Sequence, residues 1–488
     1  MSMLPTSLYS LETDLKKRLA NPIPESPELP DFPESPELPK SPPELPPDLP
    51  KSPEIPNIPD IPNTPKSPES PDIPGYPEVP VLPNFPQAPD MPSLPELLIY
   101  NQYNNQNISR QQDDFEKAEQ QFHQLLTWEN LDEQVKLQPE LVKDLEIAIA
   151  TATKIAYPKI TYGEADQERT AESEIAARFL QRILYRLNRL NLFWYDDLRN
   201  YQNEHSFYLK SLVEQIESVW QAWELSQLDV VKIQQLKVED VKHALQARAD
   251  VDLDPHVSPA KKYLRETMNL QGYRLLLAIA SLDGLVEASR LSRILGGASN
   301  EIQATLIRVL LEEYGNGRLA RKHSTFFAQM MAELGLQTEP EAYFDLVPWQ
   351  VLASINHNFL LTERKRHFLR YNGGLTYFEI AGPAIYTDYL LAAKRLQLSD
   401  AAMGYWELHI REDERHGQWM LTDVALPLVD RYPQEAWELV LGYDQEKLIG
   451  DRAAAAVMAL IQQSVSPEGL PPQRRDNVTQ QSAANNSI

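Results

Sequence analysis

The chain has 488 residues and a formal net charge of −24, from 70 acidic and 46 basic side chains. Such a surface repels phosphate backbones, which excludes nucleic acid as an expected partner. There is no cysteine, so disulfides, thiolate zinc sites, iron–sulfur clusters and cysteine nucleophiles drop out together, and any metal must be held by nitrogen and oxygen donors.

The N-terminal stretch MSMLPTSLYSLETDLKKRLANP has no uninterrupted apolar core of signal-peptide length. Leu8, Leu11, Leu15 and Leu19 fall at helical spacing and predict a small docking helix. Residues 24 to 95 are low-complexity, and 28 of the chain's 40 prolines lie in the first hundred residues. They recur at every third position from Pro24 to Pro42, slip once, and recur again up to Pro95. Polyproline II has three residues per turn, so each run lines one edge of such a helix; the near absence of glycine excludes collagen. With Glu, Asp and Ser filling most other positions, residues 1–98 are expected to be a disordered, acidic, proline-rich arm that buries no core. At about 3.1 Å per residue it would reach on the order of 200 Å, as a stiff spacer or as a docking arm for a proline-recognising protein partner.

From about residue 112 proline becomes scarce and apolar residues return at three- and four-residue intervals, as in DDFEKAEQQFHQLLTWENL, ESEIAARFLQRILYRLNRLNLFWYDDL and KKYLRETMNLQGYRLLLAIASLDGLVEASRLSRIL. No alternating β pattern of any length appears, so the folded part is expected to be all-α. A composition shift at VDLDPHVSP, residues 251–259, predicts a boundary or a long connection, with Ser258 as N-cap of the next helix. Residues 466–488 have the composition of a disordered tail. No segment approaches the run of about 18 apolar residues that a membrane span needs, and a soluble cytoplasmic protein without a membrane partner is expected.

Without cysteine, the informative search is for histidine mixed with carboxylates inside the helical part. The stretch ELHIREDERHGQW places His409, Asp413 and His416 at steps of four and three, which keeps all three on one helix face. Glu412, Glu414 and Arg411 would then form its solvated or outer-ligand side. A second cluster, EEYGNGRLARKHS, places Glu313 ten residues before His323 with Gly315 and Gly317 between them, and two glycines there predict a helix break. Glu287 and Glu379 sit in apolar surroundings, and Pro383 disturbs the helix just after Glu379. A carboxylate facing a core costs several kcal/mol unless it is paired or metal-bound. Glu287, Glu313, Glu379 and Asp413 carry four negative charges, which two divalent cations balance if His323, His409 and His416 bind as neutral imidazoles. Such a set of inward N/O ligands is how helical bundles hold two irons or manganeses.

These residues, in this order and with these gaps, make the chain resemble the heme-oxygenase-like diiron oxidases and oxygenases, a family of iron-containing redox enzymes. The resemblance covers roughly residues 205–465 and rests on LDGLVEA, EEYGNGRLARKHS, YFEIAG and the His-x3-Asp-x2-His of His409 to His416. It implies a heme-oxygenase-like helical bundle without heme over 205–465, preceded by a helical extension over 110–204. It also implies metal ligands Glu287, Glu313, His323, Glu379, His409, Asp413 and His416. Glu312 competes with Glu313, and the family pattern of Glu directly before Tyr-Gly favours Glu313. Members of the family bind two irons, with manganese as an alternative metal here. They activate O2 and oxidise a small organic substrate by N-oxygenation, desaturation or oxidative C–C cleavage of an amine, amino acid or fatty acid. In such relatives the helix bearing the His-x3-Asp-x2-His is mobile and the second iron weakly held. Tyr314, Tyr386, Tyr389 and Arg415, near ligands in sequence, are candidates for contacts behind the ligands or with substrate. The reading leaves room for an electron donor and for a homodimer. Its alternatives are a cofactorless or single-metal enzyme on the same fold, or a non-catalytic scaffold using the proline-rich arm; the intact ligand set argues against the last.

Overall fold

A computed structural model describes residues 109–159, 162, 169–193, 195–297 and 300–465. The expected proline-rich arm, the docking helix ahead of it and the C-terminal tail lie outside the described residues. The described residues form α-helices with short 3-10 turns and contain no strand, as the three- and four-residue periodicity requires.

In chain order the helices are α1 (Ser109–Leu125), α2 (Leu131–Leu137), α3 (Lys143–Ala156), α4 (Ala171–Asn188), α5 (Phe207–Ser226), α6 (Val230–Gln234), α7 (Val238–Leu253) and α8 (Pro259–Glu266). They continue with α9 (Leu270–Gly284), α10 (Glu301–Glu313), α11 (His323–Glu333), α12 (Trp349–Glu363), α13 (Phe368–Arg395), α14 (Gly404–Trp419), α15 (Leu426–Arg431) and α16 (Trp437–Val465). Many starts carry the side-chain cap that their sequence offers. Thr170, Ser206, Ser258, Asn269 and Asn300 each accept a backbone N–H from the first turn of the next helix, which satisfies a donor that the helix itself leaves orphaned. Ser258 thus caps α8 as its position predicts, and the composition shift at 251–259 is a connection of residues 254–258 between α7 and α8.

Helices α1, α3 and α4 pack into the same core as the later helices. Phe122, Ile149 and Leu180 share one hydrophobic cluster with Trp220, Leu360 and Leu439. Polar ties reinforce it: Arg182 meets Glu119 at 2.7 Å, Trp349 Nε1 donates to Glu174 at 2.7 Å, and Asn188 donates to Asn356 at 3.1 Å. A second cluster, around Tyr273, Phe327, Met331 and Trp406, draws on α9, α11 and the start of α14, with further residues from α12, α13 and α16.

The long helices α13 and α16 cross at glycine. A Cβ on Gly373 would overlap the Leu439 carbonyl, and one on Gly442 would overlap the Arg370 carbonyl. The backbones therefore touch directly, and this crossing fixes the height of α13 in the bundle. Downstream of α14 the chain passes through a π-helical segment, Met420–Ala425. Pro427, which has no N–H to return to the turn before it, lies just beyond.

Overpacking at this crossing should be costly. Gly442→Ala is expected to lower stability by about 1–3 kcal/mol or more. Gly450→Ala, in the same helix with nothing near its Cβ position, should raise stability by up to about 1 kcal/mol. Urea melts of the two variants check the contrast, and equal midpoints would contradict it.

Candidate metal centre

Each candidate ligand is delivered by a local device. Glu287 lies just past the end of α9, in a turn where Ala288 holds φ 55°; a side-chain-bearing residue in the left-handed region is strained and marks a turn fixed by its surroundings. Glu313 is the last residue of α10 and His323 the first of α11. The predicted break lies between them, with Gly315, Asn316 and Gly317 at φ 60°, 52° and 77°. Only glycine fits at 315, because a Cβ there would overlap the Arg321 backbone. The hairpin folds His323 back so that its Nδ1 lies 2.9 Å from Glu313 Oε2.

Glu379 lies inside α13, which runs on through Pro383. Proline has no N–H to give to the carbonyl four residues earlier, which is that of Glu379. Gly417 of α14 packs there, and a Cβ on it would sit 3.0 Å from Glu379 O. One turn on, a Cβ on Gly382 would sit 2.8 Å from Asp413 Oδ2. Small residues on both helices thus let α13 and α14 approach until their carboxylates meet.

On α14, His409, Asp413 and His416 are all buried, while Glu407, Arg411, Glu414 and Arg415 face solvent. His409 Nε2 lies 3.0 Å from Glu287 Oε1 and 3.2 Å from His323 Nδ1. His416 Nδ1 lies 3.4 Å from Glu379 Oε2, 3.6 Å from Glu313 Oε1 and 3.7 Å from Asp413 Oδ1. The structure therefore brings all seven predicted residues together. Six of them form two overlapping groups in which donor atoms lie within 4.8 Å of one another: Glu287, Glu313, His323 and His409 in one, and Glu313, Asp413 and His416 in the other; Glu379 joins through its 3.4 Å approach to His416 Nδ1. Glu313 belongs to both.

The three imidazoles share a pattern. One nitrogen of each faces inward, and the other is held from behind. Glu412 lies 3.0 Å from His323 Nε2, Glu312 lies 2.9 Å from His416 Nε2, and the Tyr405 carbonyl accepts from His409 Nδ1 at 3.0 Å. A carboxylate or carbonyl behind a histidine fixes its ring and raises its basicity toward a metal. Glu312, the competitor of Glu313 in sequence, is thus an acceptor behind His416 and faces away from the cluster. Glu412 is an acceptor behind His323, whereas Glu414 and Arg411 are exposed.

Of the four neighbours flagged by sequence, Tyr386 lies 4.9 Å from the His409 ring and stacks on Trp406 at 5.5 Å. Tyr389 packs against Trp406 as well, at 5.0 Å. Arg415 donates to Glu312 at 2.8 Å. Tyr314 reaches Ser289 at 3.3 Å and lies under Lys322, away from the inward nitrogens. Sequence reasoning missed Tyr405, whose hydroxyl donates to Glu287 Oε1 at 2.5 Å. Its signal was present, since it lies four residues before His409 on the same face.

The donor set fits a bound cation. Both oxygens of Asp413, His416 Nδ1 and Glu287 Oε2 are buried without a hydrogen-bond partner, which is costly unless a cation takes them. Without metal, protons take over part of that role. Burial opposes the charged form of His323, yet Glu313 and Glu412 raise its pKa to about 10. Burial likewise opposes charge on His409 and His416, yet Glu287 raises the first to about 9, and Glu312 and Glu379 raise the second to about 11. Glu313 is buried as well, but His323 holds its carboxyl down at about 2. Burial pushes Asp413 well up.

A cavity of about 250 Å3 opens beside the cluster. Glu287, Glu313, Glu379, His409 and Asp413 form one part of its wall, and Phe327, Phe378, Tyr386, Tyr389 and Trp406 supply an apolar part.

The pKa shifts set the sign of a pH effect. In the metal-free protein, each raised histidine stabilises the fold fully below its ordinary value near 6.5, and that stabilisation is lost as pH rises through about 9 to 11. Metal needs the same nitrogens unprotonated, so loading at pH 7 should release up to about three protons per chain from the histidines, and one more from Asp413 where burial keeps it protonated, and affinity should climb with pH. Calorimetric titration in buffers of different ionisation enthalpy measures this; loading without proton release would contradict it. Glu412→Gln and Glu312→Gln should each weaken metal affinity by about 10–100-fold, read by competition with a chelator.

Residues 274–445 match the sequence profile of a family described as iron-containing redox enzymes, a span that includes all seven converging residues. The chain is also 27% identical over 179 residues to nitrosourea synthase of Streptomyces achromogenes subsp. streptozoticus, covering 36% of this chain and 38% of that protein. The buried carboxylate and histidine cluster therefore lies in the part of the chain, residues 274–445, that is similar to iron-containing redox enzymes.

Proposed function

We propose that this protein is an iron-dependent oxidoreductase that uses O2 to oxidise a small organic substrate at a non-heme diiron site. The observation that carries the reading is Glu313, a carboxylate shared by two ligand groups, as a residue bridging two metals must be. On this reading Glu287, Glu313, His323 and His409 hold one ion, and Glu313, Asp413 and His416 hold the other beside Glu379. Four carboxylates against two divalent ions leave the centre neutral, which a buried site requires. When bound, the ions supply the electrons and the Lewis acidity that O2 activation needs.

The chain's own groups do the rest. Glu412, Glu312 and the Tyr405 carbonyl fix the three imidazoles, and the Tyr405 hydroxyl fixes the Glu287 carboxylate. Phe327 and Trp406, both buried, give the substrate's apolar part a surface, and Phe378 extends it toward solvent. Nitrogen oxidation is the first outcome to test, supported by the name of the relative, nitrosourea synthase. Desaturation and oxidative C–C cleavage are the others. Manganese is the second metal to test.

Anaerobic loading with Fe(II), removal of excess ion and metal analysis should give about two irons per chain, as helical carboxylate sites of this kind hold. His416→Ala should lose one of them. Fewer than one iron per chain, with loading unaffected by His416→Ala, would overturn the proposal.

A further inference from the structure

The cavity beside the ligand cluster has a second polar region that the metal chemistry does not use. It is made by Asp283 at the end of α9, Arg290 just beyond it, Asn358 on α12 and Glu446 on α16, all lining the same space. Arg290 Nη2 lies 2.6 Å from Asp283 Oδ1 as a charge pair, while that oxygen and Arg290 Nε are both buried without an aligned hydrogen-bond partner. Glu446 is 8% exposed. It accepts only long bonds from Asn358 Nδ2, at 3.3 and 3.5 Å, and His357 Nε2 is 3.9 Å away. That imidazole offers no charge, since burial drops its pKa to about 3. Burial also pushes Glu446 up to about 7. The carboxyl is thus poorly satisfied where it stands.

Its place is set by the glycine crossing. Gly374 on α13 faces Glu446, and a Cβ there would lie 3.2 Å from Glu446 Oε2. Glu379 lies five residues after Gly374 on the same helix, about 7.5 Å further along the axis at about 1.5 Å per residue and turned to another face, so the two polar regions are on the order of that distance apart. An extended zigzag of about six bonds, each of about 1.5 Å, covers a distance of that order. The region holds two carboxyls against one guanidinium. A carboxylate entering it would meet an Arg290 already engaged by Asp283, and two like charges. A cation would meet an underused carboxyl.

We propose that Glu446, with Asp283 beside it, recognises a positively charged substrate end, an amine or guanidinium, and so presents the atoms about six bonds away to the metal-facing part of the cavity. This rests on the oxidoreductase reading for what happens to those atoms, but the recognition itself needs no iron. It favours cationic substrates over fatty acids.

The test compares n-hexylamine with hexanoate by calorimetry under argon, on iron-loaded and on metal-free protein. The amine should bind at least tenfold more tightly. Glu446→Gln should weaken the amine at least tenfold and leave hexanoate equal or tighter. Tighter binding of hexanoate, through the free Arg290 Nε, would overturn the inference, as would amine binding indifferent to Glu446→Gln. The latter result would also expose amine bound merely at the ligand carboxylates. Should Glu446→Gln fail to fold by circular dichroism, Asp283→Asn carries the test. It should weaken the amine at least threefold, and unchanged affinity overturns the inference. Iron content of the same samples separates the two readings. A chain that takes no iron yet binds amine through Glu446 keeps this inference and loses the other; a chain that takes iron but is blind to Glu446→Gln does the reverse.

Discussion

Four acidic side chains close together in a helical interior repel one another and have lost most of their water, so something positive must sit among them. Glu287, Glu313, Glu379 and Asp413 meet in this way, and three histidines meet with them. In metal-free protein the positive charge comes from protons, which is why the histidines are strongly basic while Glu313 stays ionised. That arrangement leaves both oxygens of Asp413 without a hydrogen-bond partner. Protons sit on one donor at a time, whereas a cation is shared among several. The geometry is therefore better explained by multivalent ions than by hydrogen bonding alone.

Much of the surrounding fold can be understood as the means of making that convergence. Side chains at helix ends and at glycine crossings can come closer than helix-on-helix packing otherwise allows. Glu313 closes α10 and His323 opens α11, with a left-handed turn between them. Gly382 and Gly417 remove the bulk between α13 and α14, and Pro383 leaves the Glu379 carbonyl without an intrahelical N–H at that contact. The stiff histidine–carboxylate pairs behind the cluster then fix the ring orientations, so that three flexible side chains present defined donor atoms.

Spacing alone made only locally encoded features legible; the grouping of Glu287 and Glu379 with the other ligands came from the family resemblance. Apolar spacing carried the all-α class, and the four-and-three steps of His409, Asp413 and His416 carried their common face. Paired glycines carried the break before His323. The outer acceptors were not legible in the same way. Glu412 lies one residue from Asp413 on α14 yet serves His323 of α11, and Glu312 of α10 serves His416 of α14. Such pairings depend on how three helices are set against one another, which no spacing within one helix records. The same holds for the joint core of the early and late helices, for the cavity, and for Glu446, which lies just past the residues similar to the iron-containing redox enzymes. Tyr405 is intermediate: its position before His409 was visible, but its partner Glu287 was not.

On the proposed reading, the two polar regions of the cavity divide the electrostatic work. With two divalent ions in place, the ligand cluster sums to zero charge and presents no net field of either sign to a substrate at a distance. Selection between cationic and anionic substrates then falls to the only other charged groups on the cavity wall among the described residues: Asp283, Arg290 and Glu446. Their sum is negative when Glu446 is ionised. A cation entering stabilises the ionised form, so the ligand itself completes the charge that the empty pocket leaves partly protonated. On the proposed reading, recognition and catalysis would be electrostatically separable: the metal cluster would be neutral, and the far carboxyl of Glu446 would set the charge of the substrate.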